Sequence, residues 1–174
     1  MAGAMRRLLL LRHAKSSWDD PGLADHERPL NPRGRRATEV VARHLRERGL
    51  VPELVLCSSA VRTRETLGGI EGALGDRASV AIEDELYDAS AEVLLDRVRR
   101  IDDDVGSAMV IGHNPGVGQL ALELAGGGEW IEEIRAKFPT AALATLDWDG
   151  TWDELAPGRA ELVDFVTPKG LGGA

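Results

Sequence analysis

The sequence has little cysteine, few aromatic residues and no long hydrophobic run. Its single cysteine, Cys57, excludes an internal disulfide and a metal site built from several cysteines, and we expect it to be a buried strand residue. The apolar run near the start, residues 8–11, is far shorter than the roughly 20 residues of a membrane-spanning helix. It is also shorter than the roughly 7 to 15 residues of a signal-peptide core. We therefore expect a cytoplasmic protein that does not contact a membrane.

The chain also has no overall excess of positive charge, with 21 Lys and Arg residues against 29 Asp and Glu residues. The net charge of -8 argues against a nucleic-acid-binding protein, since phosphate backbones attract positive surfaces. Residues 1–64 nevertheless contain 13 basic and 7 acidic residues. This local excess suits an anion site, although we expect most arginines between 33 and 48 to solvate one face of a helix.

Short apolar segments that alternate with helix-period patterns predict a sheet of mostly parallel strands covered by helices. The last two segments differ, because the turn signals Asp149-Gly150 and Pro157-Gly158 separate them without a long helix, which predicts an antiparallel pair at a sheet edge. The chain is therefore expected to be one domain over 1–174, a three-layer α/β/α fold with a mixed sheet and a frayed end at 170–174. The six predicted strands are 7–11, 54–57, 79–82, 108–111, 142–147 and 161–166.

Four helix starts can be located from capping residues. Asn31 before Pro32 is a typical N-cap, Ser58 or Ser59 would cap a second helix, and Ser90 a third. A fourth helix would begin after Asn114-Pro115 and end at the glycines 126–128. His44 lies on the apolar stripe of the first helix, so we expect a partly buried structural histidine there.

Polar residues that could carry chemistry follow three of the predicted strands. Arg12 and His13 come directly after the first strand, Arg62 after the second, and His113 after the fourth. Because the carboxyl ends of parallel strands form one rim, these two histidines and two arginines should meet there. Arginine forks match the oxygens of a phosphoryl group, and a helix start beside them adds N–H groups. The sequence therefore predicts a phosphoryl site.

A neutral histidine next to such cations is a competent nucleophile, because neighbouring positive charge disfavours its protonated form. The four histidines show no metal-ligand spacing, so we expect no zinc. A nucleotide-binding fold is poorly supported, since the chain lacks a phosphate-binding Gly-x-x-x-x-Gly-Lys segment.

The segments LRHAKSSW, DHERPLNPRG, CSSAVRTRET, GHNP and KFPTAALA, taken in order, resemble the histidine phosphatase superfamily and, more narrowly, its small SixA-type phosphohistidine phosphatases. The resemblance covers residues 11 to about 144 and implies a phosphoglycerate mutase-like fold and a phosphatase that needs no metal or cofactor. It also implies a two-step reaction. His13 attacks phosphorus and forms a phosphohistidine, and water then releases phosphate from it.

The resemblance further assigns residues to the site. Arg12, Arg62 and His113 correspond to the family's charge-stabilising set around the phosphoryl group. Ser16 and the backbone of Asn114 would be additional contacts. Lys15 would meet the substrate or remain solvated, and Arg28 would contact the groove or fix its loop through an ion pair with Asp25.

The chain departs from the family in two places, and its proton donor is open. Ala14 replaces the glycine that commonly follows the nucleophile, which fits the SixA branch. Asp19 stands where many relatives have an asparagine that binds phosphate, and we expect it to point elsewhere because its charge repels phosphate. The proton donor is Asp88, its neighbour Glu85, or neither, since an imidazole leaving group needs little protonation.

The expected substrate is a phosphorylated protein, such as a histidine-phosphorylated signalling or phosphotransfer protein. Only 50 residues separate Arg62 from His113, too few for a helical insertion over the site, so the site should be open. The alternatives are a small-molecule phosphomonoester phosphatase of the same superfamily and a phospho-binding module without turnover. We expect a monomer.

Overall fold

The computed structural model describes residues 4–173, which contain six strands and five helices. The strands are β1 (Met5–Arg12), β2 (Leu54–Ser58), β3 (Ser79–Glu83), β4 (Ser107–Gly112), β5 (Leu143–Asp149) and β6 (Glu161–Val166). The helices are α1 (Pro32–Arg48), α2 (Val61–Leu74), α3 (Ala91–Arg99), α4 (Gly116–Leu124) and α5 (Ile131–Ala136). All six predicted strands are present.

The strands form one mixed sheet in the order β3-β2-β4-β1-β5-β6. Strands β3, β2, β4 and β1 are parallel, whereas β5 runs antiparallel to both β1 and β6. The predicted antiparallel pair at the sheet edge is therefore confirmed. Because β1 lies beside β4 and β4 beside β2, their carboxyl ends are adjacent at one rim of the sheet.

Two hydrophobic cores lie on opposite faces of this sheet and give the fold its three layers. Leu8 and Leu10 of β1 face the core under α3, α4 and α5, whereas Leu9 and Leu11 face the core under α1 and α2. All four side chains are at most 1% exposed. A strand buried on both faces needs a continuous apolar run rather than alternation, which explains the four consecutive leucines.

The helix caps agree with the sequence at two of the predicted positions and disagree at a third. The side chain of Asn31 accepts a hydrogen bond from the N–H of Gly34, and that of Ser90 accepts one from Val93. The prediction that Ser58 or Ser59 caps the second helix is wrong, because α2 follows Ala60 without a side-chain cap. The hydroxyl of Ser58 has a different partner, described below.

One further element differs from the sequence prediction. The six residues of α5 were not predicted, since a helix this short shows hardly two turns of apolar periodicity. Turns follow β6 in residues 168–172, where the N–H of Leu171 donates to Thr167 and that of Gly173 to Pro168, and the frayed end at 170–174 stays a prediction. Ala174 lies outside the described residues.

Within residues 4–173, no helix has both the length and the apolar character that a membrane span requires.

Candidate active site

The rim of the sheet brings together the two histidines and two arginines singled out in the sequence. His13 follows β1, His113 follows β4, and their ring centroids lie 5.3 Å apart. Arg62 is the second residue of α2, and its charge acts on both imidazoles together with that of Arg12. His13, His113 and Arg62 are buried, with 7%, 3% and 4% of their surfaces exposed.

The proton position on His13 follows from a hydrogen bond to the next residue. Its Nδ1 lies 2.7 Å from the carbonyl oxygen of Ala14, which can only accept. Nδ1 therefore carries the proton and Nε2 keeps its lone pair, the state that a nucleophile requires. The loop is fixed at this point, because the N–H of Ala14 donates to the hydroxyl of Thr66 on α2 at 2.9 Å.

Burial keeps the His13 imidazole neutral. Desolvation lowers its pKa to about 4, and the charges of Arg62 and Arg12 add to this effect. The sequence argument relied on the neighbouring cations alone, whereas burial is the larger cause. At neutral pH the lone pair on Nε2 is available for attack on an electrophile.

His113 is held by the end of β2. Its Nε2 lies 2.7 Å from the hydroxyl of Ser58, and that hydroxyl also accepts a hydrogen bond from the N–H of Ala60 at 3.4 Å. Nε2 of His113 is the acceptor within reach of the Ser58 hydroxyl proton, so we infer that Ser58 donates to Nε2 and that the imidazole proton is on Nδ1. Burial, followed by the charge interaction with His13, lowers the pKa of His113 to about 3, so this ring is also neutral.

Three buried N–H groups at the site have no acceptor among the described residues. They belong to Nε of Arg12, Nε of Arg62 and Nδ1 of His113. Three other nitrogens of the two arginines are tethered, since Nη1 of Arg12 donates to the carbonyl of Phe138 at 3.0 Å and both terminal nitrogens of Arg62 donate to Asp25. A buried donor without an acceptor costs about 1–3 kcal/mol, and an anion with several oxygens would supply the missing acceptors.

Arg28 fixes the loop between β1 and α1. Its Nε donates to Asp25 at 3.3 Å, its Nη2 donates to the hydroxyl of Ser16 at 2.9 Å, and its guanidinium stacks 3.5 Å from the ring centroid of Trp18. With 6% of its surface exposed, Arg28 is enclosed by its own loop. Of the two roles left open by the sequence, the structure shows the loop-fixing ion pair.

The remaining predicted contact residues occupy different positions. Lys15, two residues after His13 in the chain, is exposed. The side-chain amide of Asn114 donates to the carbonyl of Phe138 at 2.8 Å and accepts from Gly118 at 3.2 Å, so it braces the start of α4. Asp19 is exposed, as expected, and among the described residues its side chain has no hydrogen-bond partner at the phosphoryl site.

Asp88 lies beside the site and Glu85 does not. Oδ1 of Asp88 is 3.8 Å from Nδ1 of His113 and 3.9 Å from Nη2 of Arg62. Glu85 instead pairs with Arg100 at 3.0 Å, beyond the end of α3. The distances therefore favour Asp88 over Glu85 as a group that exchanges protons with a substrate.

The segment that carries Asp88 packs closely against α4. A Cβ atom on Gly116 would lie 2.0 Å from the carbonyl oxygen of Ala89, so only glycine permits this approach. Asp88 itself has a φ of 49°, a conformation uncommon for residues other than glycine. Residues of this kind concentrate at functional sites because the surrounding structure must hold them in place.

Three residues that shape the site were not predicted from the sequence. Ser58 was assigned to a helix cap, Asp25 entered only as a partner of Arg28, and Tyr87 was not considered. The ring of Tyr87 packs edge-on against that of His113, with centroids 5.4 Å apart, and its hydroxyl donates to Asp25. Ser58 could have been found from its position at the end of a strand on the same rim; Asp25 and Tyr87 gave no such signal.

Residues 4–173 contain no group of three or more histidine, cysteine, aspartate or glutamate residues placed to hold a metal ion. Cys57 is buried, as predicted, and burial raises the pKa of its thiol to about 12. The other two histidines have different partners: Nε2 of His44 is 3.7 Å from Asp164, and Nε2 of His26 is 2.9 Å from the hydroxyl of Ser59, with the ring of His26 packed edge-on against Tyr87.

Comparisons with known proteins agree with this geometry. The family model described as the histidine phosphatase superfamily (branch 1) matches residues 8–110. A Nakamurella multipartitia structure, described as a candidate phosphohistidine phosphatase SixA, is 31% identical with a TM-score of 0.84, covering 97% of this chain and 99% of its own. The Mycobacterium tuberculosis protein Rv1276c is 37% identical over 163 residues, 91% of this chain and all of its own length.

The phosphohistidine phosphatase SixA of Escherichia coli is 28% identical over 145 residues, which cover 82% of this chain and 86% of that protein. The three-layer architecture, the site at the strand ends and these matches lead to one assignment. The chain belongs to the histidine phosphatase superfamily and is of the SixA type within it.

Proposed function

We propose that the protein removes the phosphoryl group from a phosphohistidine residue of another protein by hydrolysis. His13 would carry the phosphoryl group in the covalent intermediate. The observation that carries this proposal is that a neutral histidine and buried N–H groups without acceptors among the described residues occur at the same rim of the sheet. Nε2 of His13 keeps its lone pair, the ring of His113 lies 5.3 Å away, and three buried nitrogens of Arg12, Arg62 and His113 have no hydrogen-bond partner in the described part of the chain.

In the first step, Nε2 of His13 attacks phosphorus in line with the leaving imidazole. The new bond joins Nε2 to phosphorus, and the bond from phosphorus to the substrate nitrogen breaks, with its electron pair going to that nitrogen. Arg12, Arg62 and Nδ1–H of His113 stabilise the charge that spreads over the phosphoryl oxygens. In the second step, water attacks phosphorus, phosphate leaves, and Nε2 regains its lone pair.

Asp88 exchanges the protons of both steps in this scheme. Its carboxyl group donates a proton to the leaving group and then accepts one from water. Asp88→Asn should therefore reduce hydrolysis of an alkyl phosphate more than hydrolysis of phosphohistidine, because an alkoxide needs protonation more than an imidazole does. Glu85→Gln is the matched control, since Glu85 pairs with Arg100. Equal loss for the two substrates would remove Asp88 from this role.

The site itself supplies the positive charge that a phosphoryl group needs, so we infer that the reaction needs no metal ion. Arg12 and Arg62 carry this charge, and both act on the imidazoles of His13 and His113. Activity should persist in excess chelator, and loss of activity that added Mg²⁺ or Zn²⁺ restores would contradict this inference.

Access to the site favours a protein substrate. Between Arg62 and His113 the chain is taken up by α2, β3, a three-residue 3-10 helix (Asp84–Leu86), α3 and β4, which leaves no room for a long helical insertion over the site. Asp25 and Asp88, which border it, have side chains that are 47% and 57% exposed. An open site of this kind accommodates a phosphorylated side chain on a protein surface, and we propose that Lys15, which is exposed, contacts that surface.

The test is an activity panel that compares a phosphohistidine-bearing protein, a simple phosphoramidate and a sugar phosphate. We expect the highest kcat/KM for the phosphohistidine protein and the lowest for the sugar phosphate. A clear preference for the sugar phosphate would instead make the protein a small-molecule phosphatase. Tight phosphate-analogue binding without turnover of any substrate would make it a binding module.

A further inference from the structure

Asp25 connects the loop after the nucleophile to the arginine on the opposite side of the site. Its backbone carbonyl accepts from Nη1 of Arg62 at 2.8 Å, and its Oδ2 accepts from Nη2 at 3.0 Å. The same carboxylate accepts from Nε of Arg28 at 3.3 Å and from the hydroxyl of Tyr87. One residue thus holds groups from the loop, from α2 and from the segment before α3.

We propose that Asp25 is the positioning residue of this site, which fixes the guanidinium of Arg62 in the orientation that binds the transferring phosphoryl group. The proposal rests on the proposed function. Asp25 itself does not contact the reacting atoms in this account; it acts through Arg62.

The hydrogen-bonding capacity of the guanidinium explains how this works. A guanidinium has five N–H donors in a rigid plane, so two bonds to one residue fix its rotation. Asp25 takes one donor from each terminal nitrogen of Arg62, and Nε–H is left buried without an acceptor among the described residues. The plane is set before substrate arrives, and its remaining donors are available for phosphoryl oxygens.

Asp25 is itself held in place. The hydrogen bond from Tyr87 and the charges of Arg62 and Arg28 lower the pKa of its carboxyl group, so the group is ionised at neutral pH. The same hydrogen bond raises the pKa of Tyr87, which keeps the phenol protonated as a donor. Since Arg62 is only 4% exposed, removing its carboxylate partner would leave a buried cation free to reorient.

Asp25→Ala tests the proposal, with Asp19→Ala as the matched control. Asp19 lies in the same loop and is exposed, so the control makes the same charge change away from the arginines. We expect Asp25→Ala to lower kcat/KM for a phosphoramidate on the order of 10- to 100-fold, the range seen when partners that orient functional ligands are removed. Inhibition by tungstate, a phosphate analogue, should weaken in parallel. Asp25→Asn keeps an acceptor for Arg62 and should therefore recover part of the lost kcat/KM and part of the tungstate inhibition.

A double-mutant cycle separates positioning of Arg62 from a general effect on the loop. In an Arg62→Ala background, Asp25→Ala should change kcat/KM by no more than about 2-fold, because its target is gone. In an Arg28→Ala background its effect should persist. An undiminished effect without Arg62, or a loss for Asp25→Ala no larger than for Asp19→Ala, would overturn the proposal.

Two further measurements keep the outcome decisive. If Asp25→Ala unfolds, Asp25→Asn and Tyr87→Phe take its place in the cycle, since the first removes the charge of the carboxylate and the second removes its hydrogen bond from Tyr87. If the wild-type protein hydrolyses no phosphorylated substrate, the proposed function fails, and calorimetric tungstate binding still tests Asp25. In that case, equal tungstate affinity in the wild-type protein and Asp25→Ala would overturn the positioning role.

Discussion

The hydroxyl of Ser58 lies 2.7 Å from Nε2 of His113, so the last residue of β2 holds that imidazole in place. With the hydroxyl as the donor, the imidazole proton is on Nδ1, which lies 3.8 Å from Oδ1 of Asp88. A serine that the sequence assigned to a helix cap therefore contacts a histidine of the candidate active site.

Ser58→Ala should lower kcat about tenfold, because His113 loses the buried hydrogen bond that fixes its tautomer, a contact worth roughly 1–3 kcal/mol. Ser59→Ala is the control, since that neighbouring hydroxyl contacts His26 instead of His113. Steady-state kinetics of the two variants provide the comparison. Equal kcat values for Ser58→Ala and the wild-type protein would show that the hydroxyl does not set the tautomer.

Arg62→Ala should reduce turnover by on the order of 10³-fold or more, as expected for an arginine that stabilises charge in phosphoryl transfer. Arg64→Ala, two residues along the same helix, changes charge equally but removes an exposed side chain that donates to the carbonyl of Ser59. That control should retain nearly full activity. A loss below about tenfold for Arg62→Ala would remove Arg62 from the site.

The lowered pKa values of His13 and His113 predict that the protein loses stability in mild acid. Unfolded histidine takes up a proton near its ordinary pKa of about 6.5, whereas the folded imidazoles do so only at about 4 and about 3. The unfolded state therefore binds more protons in this window, and the free energy of unfolding falls as pH drops below 6.5. The slope is at most about 1.4 kcal/mol per pH unit for each imidazole.

Urea unfolding at about pH 7, 6 and 5 measures this slope. The slope is expected in this pH range because the pKa values of the folded imidazoles lie below it. His113→Ala and His13→Ala should each make the dependence shallower, because each variant removes one imidazole that stays neutral in the folded state. An unchanged free energy of unfolding from pH 7 to 5 in the wild-type protein would contradict the lowered pKa values.

Much of the fold could be predicted from the sequence because its signals are local. Four consecutive leucines at 8–11 can be buried on both sides only in a central strand, and Asn31 with Pro32 marks a helix start by stereochemistry alone. The convergence of His13 and His113 follows from the rule that parallel strands end at one rim. These inferences need no knowledge of which side chains touch.

The partners of the site residues could not be predicted in this way. Asp25 and Arg62 are 37 positions apart, and no local pattern links a loop aspartate to the first turn of α2. The sequence left Arg28 between two roles because both use the same guanidinium, and only its burial against Ser16 and Trp18 decides between them. Ser58 was misassigned because a serine at a strand end can cap a helix or bind a neighbouring strand's histidine.

Trapping the covalent intermediate tests the central claim most directly. The protein is mixed rapidly with a phosphohistidine protein or a phosphoramidate, quenched in alkali, and searched by mass spectrometry for phosphate that is acid-labile. We predict that acid-labile phosphate appears on His13 in the wild-type protein, and that His13→Ala shows neither this phosphate nor turnover while still binding tungstate. Turnover by His13→Ala, or transient acid-labile phosphate on another residue, would contradict the account.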